Sequence, residues 1–97
     1  MKGEQIMVEI AAERTRQQKA EGWTPEHDDG HTDGVLARVA AFYALATTEG
    51  GVGWKIWPKH WEPRWYKPTT KRRDLIKAAA LIVAEIERLD RAEGGTK

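Results

Sequence analysis

Apolar residues recur at helical spacing in three stretches, separated by two that break the pattern. From about Gly3 to Ala20 the chain is rich in helix formers, with Ile6, Ile10 and Arg14/Gln17 on one face at three- and four-residue steps. Gly22-Trp23-Thr24-Pro25 stops this first helix. The polar run from Glu26 to Gly34 has turn chemistry throughout, and Thr32 or Asp33 is placed to cap the next helix. Leu36, Val39, Ala40, Tyr43 and Ala44 then mark a second helix to about Thr48, its alanines permitting close approach of a neighbour. Glu49 to Gly53 is a glycine-rich break. After Thr69 or Thr70 as cap, Leu75, Ile76, Ala79, Ile82, Val83, Ile86 and Leu89 form a wide apolar stripe on a third helix reaching about Ala92. The expected fold is all-α: one domain, residues 1–97, of three helices with a long Trp/Pro-rich irregular strap between helices two and three.

That strap holds four of the chain's five tryptophans, Trp54, Trp57, Trp61 and Trp65, among Lys55, Lys59, His60 and Arg64. Pro58, Pro63 and Pro68 forbid a continuous helix there and favour an extended, semi-rigid path. Indole rings stack on a planar base while Lys and Arg meet phosphate, so a nucleotide-like guest is the first expectation. The bland alternative is that the same rings roof a small helical core.

At 97 residues there is room for one core only, and self-association is a natural way to complete it. Basic and acidic residues nearly cancel, 16 against 15, so nothing in the bulk charge draws the chain to duplex nucleic acid and any anion site must be local. The absence of cysteine excludes disulfides and Cys-based zinc sites. No apolar run has the length of a membrane span and the first residues lack a secretory pattern, so a cytosolic protein without membrane partner or cofactor is expected.

Three polar groups could carry chemistry. His27-Asp28-Asp29-Gly30-His31 offers imidazoles and carboxylates for hydrogen bonding to a ligand or, less readily, for a divalent metal; either His could serve as a general base. Arg14, Arg16 and Gln17 form the second group. Lys71-Arg72-Arg73 forms the third, at a helix start where basic residues oppose the helix dipole and a bound phosphate would offset the cost. Together these give the expected ligand set: Trp23, Trp57, Trp61 or Trp65 stacking on a base, Arg14, Lys67, Arg72 and Arg73 on phosphates, and Gln17, His27, Asp28, Asp29 and His31 on ribose or base edges. A hydrolase of similar ligands would instead use the His/Asp loop or the acids Glu9, Glu13, Glu87 and Asp90, of which Glu87-x-x-Asp90 is similar to half the acidic motif of MazG-type pyrophosphohydrolases. A third class is a protein-interaction module with tryptophan anchors.

The segments Ala12-Glu13-Arg14-Thr15-Arg16-Gln17, Glu21 through Asp29, Trp65-Tyr66-Lys67-Pro68 and Arg72 through Ala78 resemble a family of short phage and prophage proteins. The layout of Gly22-Trp23, His31, Lys67 and Arg73-Asp74 is also similar to that of the ryanodine-receptor repeat domain. These resemblances imply a viral protein in the cytoplasm of an infected bacterium. Its role would be counter-defence: sequestering a cyclic-nucleotide or ADP-ribose-type immune signal, without turnover.

Overall fold

The computed structural model describes residues 2–32, 34–45, 56–59, 61–62, 64 and 66–94. Among these the regular elements are all helical, and they number four rather than the expected three: α1 (Lys2–Ala20), α2 (Pro25–Asp29), α3 (Val35–Leu45) and α4 (Lys71–Ala92). The extra element is α2, in what the sequence pattern reads as polar loop. It forms because Thr24 is a competent cap whose side chain accepts the His27 N–H, and because Pro25 opens it with φ already fixed. Five residues are too few to show an apolar period, so turn composition masks the helix. The end of the expected second helix, Ala46–Thr48, and the glycine break lie outside the described residues, as do Trp54, His60 and Trp65 of the strap.

Gly22 makes the joint between α1 and α2. Its φ of 76° is a left-handed conformation that glycine adopts without penalty, and it lets Trp23 N–H return to the Gln17 carbonyl at 3.0 Å. Trp23 and the start of α2 are thereby turned back against the domain. At the other end of the chain, Thr70 caps α4 by accepting the Arg73 N–H, and Asp74 accepts the Thr69 N–H at 2.9 Å.

The core lies between α3 and α4 and under the strap. Leu36, Val39, Ala40 and Tyr43 of α3 meet Ala78, Leu81 and Ala84 of α4, where small side chains let the helices approach. Trp57 and Trp61 close this core from the strap side. Trp57 packs edge-on against Phe42, Tyr66 and Trp61, and its indole N–H donates to the Trp61 carbonyl at 2.8 Å. Trp61, 2% exposed, packs against Trp23, His27 and His31.

Two helices present faces that periodicity does not foresee. On α4, Leu75, Ile82, Ile86 and Leu89 of the apolar stripe point outward, and the core side is lined by Ile76, Ala78, Ala80, Leu81 and Ala84. Helix α1 buries no large apolar residue: its buried positions are Glu13, Arg14 and Gln17. Glu13 accepts from Arg16 at 2.8 and 2.9 Å and from Arg73 of α4; Gln17 donates to the Lys77 carbonyl; Arg14 donates to the Trp23 carbonyl at 3.0 Å, to Asp28 at 2.8 Å and to Glu87 at 3.2 Å. A buried guanidinium is tolerable only when its donors are so matched, and Arg14 joins α1, α2 and α4 in the process.

Removing a partner from such a buried pair leaves an uncompensated charge. Arg14→Ala should therefore cost about 3–5 kcal/mol of unfolding free energy, and Arg72→Ala, whose fork to Glu9 is exposed, far less. Urea denaturation of the two variants beside wild type measures both. Equal losses would remove Arg14 from its joining role.

Candidate functional site

Two adjoining hollows lie where the end of α1, the start of α2, the residues before α4 and the first turns of α4 converge. The first, about 330 Å³, is lined by Glu21, Trp23, His27 and Lys67. The second, about 300 Å³, is lined by Arg16, Glu21, Lys67, Pro68, Thr69, Arg73 and Lys77. They share Glu21 and Lys67 and make one groove with an aromatic end and a basic end, each part within the range of small-molecule sites.

The backbone at Lys67 is fixed on both sides. Its N–H donates to the Tyr43 hydroxyl at 2.8 Å, and its carbonyl accepts from the Lys77 ammonium, which also stands 5.6 Å from the centre of the Tyr43 ring. Burial pushes the Tyr43 hydroxyl up to about 12, so it stays a neutral acceptor for that N–H. Burial likewise lowers the Lys77 ammonium from its ordinary value, against the opposing pull of Asp74 and Glu13. With its main chain pinned, Lys67 sends its ammonium over the shared wall to Glu21, 2.8 Å away, while Arg16 holds the other Glu21 oxygen at 3.2 Å.

Carboxylates thus organise the cations of the basic end. Burial works against the Glu21 charge, but the hydrogen bonds from Lys67 and Arg16 prevail and hold its carboxyl below the ordinary 4.5. Glu13 behaves alike: burial opposes its charge, and Arg16 with Arg73 more than offsets it. Arg16, Lys67, Arg73 and Lys77 face the carboxylates of Glu13, Glu21 and Asp74, so the basic end keeps positive charge in excess.

At the aromatic end, Trp23 and His27 are nearly parallel, 16° between planes with centroids 6.5 Å apart. His27 Nδ1 lies 3.3 Å from Asp28 Oδ1, and its Nε2 lies 3.1 Å from Nε2 of His31. Asp28 therefore orients His27 while its second oxygen holds Arg14. One carboxylate couples the groove to the buried seam under α1.

Of the residues expected to bind, the groove gathers Trp23, His27, Lys67 and Arg73. Arg14, Gln17 and Asp28 lie beneath it as buried supports. His31 backs His27. Asp29 is turned away to Arg91, at 2.7 Å, and Arg72 to Glu9 across α1, so neither joins the groove. Trp57 and Trp61 are core residues, 6% and 2% exposed, and Trp23 belongs to the same core at 8%, so none of the three presents an open face for stacking and Trp23 lends the groove an edge; Trp65 lies outside the described residues. Sequence reasoning missed Glu21 and Lys77 as wall residues, and left Arg16 without a place in the ligand set. Lys77 falls one turn after Arg73 and hence on its side of α4, a spacing that was available as a signal; nothing local marks Glu21.

The acids considered for metal-assisted hydrolysis are dispersed. Glu9 is held by Arg72, Glu13 by Arg16 and Arg73, and Glu87 by Arg14. Among the described residues no three His, Asp or Glu side chains meet where they could hold a metal ion, and no helix is long and apolar enough to cross a membrane. No family model, curated protein or solved structure matches this chain.

Because Glu13 and Glu21 titrate lower in the folded chain than in the unfolded one, the stability they supply is complete above about pH 4.5 and drains away as pH falls through their folded values. Glu13→Gln should be less stable than wild type at pH 7, with the gap narrowing steadily below about pH 4. Urea midpoints between pH 7 and 3 test this, and a gap independent of pH would show that the Glu13 charge contributes nothing.

Proposed function

We propose that this domain binds a nucleotide-derived anion, a phosphate-bearing ligand with a heteroaromatic base, in the groove between the α1–α2 joint and Lys67 to Lys77, and holds it without turnover. The observation that carries this reading is the convergence of Arg16, Lys67, Arg73 and Lys77 at one end of a groove whose other end is formed by Trp23 and His27. A phosphate takes the basic end, whose wall the Arg and Lys side chains line. The base meets the Trp23 and His27 edges, and the His27 ring supplies a polar contact to it.

Glu21 sets the terms of entry. It holds Lys67 and Arg16, so an incoming phosphate replaces a carboxylate that satisfies them. The cations are thereby kept in position before the ligand arrives, which lowers the ordering cost of binding. Capture rather than hydrolysis is supported by Glu9, Glu13 and Glu87, each paired with an arginine. The resemblance to short phage proteins and to the ryanodine-receptor repeat gives this chemistry a setting, counter-defence by sequestering a cyclic-nucleotide or ADP-ribose-type signal.

Calorimetry with purified protein against cyclic dinucleotides and ADP-ribose derivatives is the direct test. Arg73→Ala and Lys67→Ala should each weaken binding by about tenfold or more, as expected for loss of a charge-assisted contact. Glu21→Gln should strengthen it several-fold by releasing Lys67 and Arg16. Ligand released by heating should be recovered intact; new products would make the groove an active site. Absence of binding to every such compound would end the proposal.

A further inference from the structure

Helix α4 carries its most hydrophobic face outward. Leu75, Ile82, Ile86 and Leu89 are 46%, 50%, 52% and 43% exposed, and with half-buried Ala79 they follow at steps of four, three, four and three residues. That spacing is the seam of two helices packed side by side, and here it runs along the side of α4 opposite the core residues Ala80, Leu81 and Ala84. A continuous apolar strip of about four turns is more than scattered surface residues explain.

The charges at the two ends of α4 identify what covers it. Exposed Lys71 and Arg72 stand at the first turn and exposed Asp90 and Glu93 at the last, each opposing the helix dipole at its own end. The dipole-favoured charges face the other way: Asp74 is buried beside Thr69 and Lys77, and Arg91 reaches to Asp29. Arg73, the other basic residue of the first turn, is turned inward to Glu13; the charges left on the outward side, basic at one end and acidic at the other, match a second α4 running in the opposite direction.

We propose that a second copy of this chain covers the strip, α4 against α4 in antiparallel orientation about a two-fold axis near Ile82. Each Ile82 then lies beside its own counterpart, and Leu75 meets Leu89 of the other copy. Lys71 of one chain comes within reach of Asp90 and Glu93 of the other, beside Arg72, which Glu9 of its own chain holds, and the opposed dipoles add to the match. The groove lies on other faces of the chain and does not depend on this contact.

Sedimentation equilibrium of the intact chain tests it. Wild type should be dimeric at about 100 μM, and Ile82→Glu should raise the dissociation constant at least about 100-fold with helix content unchanged. Lys71→Glu separates the interface from the fold: an acid in the first turn of α4 favours the helix, yet it should weaken the dimer about tenfold by facing Asp90 and Glu93. Adding Asp90→Lys and Glu93→Lys to Lys71→Glu should restore the dimer, which a parallel pairing would not allow. A monomeric wild type, a dimer indifferent to Ile82→Glu, or no recovery on charge reversal would overturn the proposal.

Discussion

Helix α1 is joined to the domain by charge and hydrogen bonding rather than by apolar burial, and the rest of the structure follows from that seam. Glu13, Arg14 and Gln17 occupy positions where a helix of this size ordinarily places Leu or Ile. Such groups are costly inside a protein unless matched, and the seam matches their charges: Asp28 and the Trp23 carbonyl for Arg14, and Arg16 and Arg73 for Glu13; the Gln17 amide N–H donates to Glu13 and the Lys77 carbonyl while its oxygen is left without a partner among the described residues. The seam is also directional. An apolar face would tolerate a slide along α4, whereas these pairs are satisfied in one register only.

The groove is the outer edge of this seam. Arg16 and Arg73 line it because Glu13 holds them there, and His27 is oriented by the same carboxylate that neutralises Arg14. Folding thus leaves cations converging on an open hollow, their positions set by bonds the fold requires in any case. The tryptophans contribute less to this site than their number suggests. Trp57 and Trp61 supply the volume that the short, alanine-rich interface of α3 and α4 lacks, and Trp23 alone of the described indoles reaches the groove.

Helix α4 reconciles two demands. Its alanine side approaches α3 closely, while its larger aliphatic residues face outward with charges of the wrong sign for their helix ends. Within a single chain both features cost stability, and the antiparallel copy proposed above would turn both to advantage.

Much of the helical content was legible in the sequence because it is local. α1 and α4 fall within a residue or two of their expected bounds, and Thr70 and Gly22 mark their own roles through cap and turn chemistry. The five residues of α2 were not legible, since a single turn shows no period and its polar composition is that of a loop. Periodicity showed that Leu75, Ile82, Ile86 and Leu89 share a face but not whether that face meets the core, and Glu13, Arg14 and Gln17 gave no sign of burial because charge is read as exposure. The sequence by itself determined where α1 and α4 start and stop, through forces acting over one turn. Only the tertiary structure decided which faces were buried and which cations met at the groove, because those outcomes rest on pairings between residues as distant as Glu13 and Arg73, whose energy exists only once the chain has closed on itself.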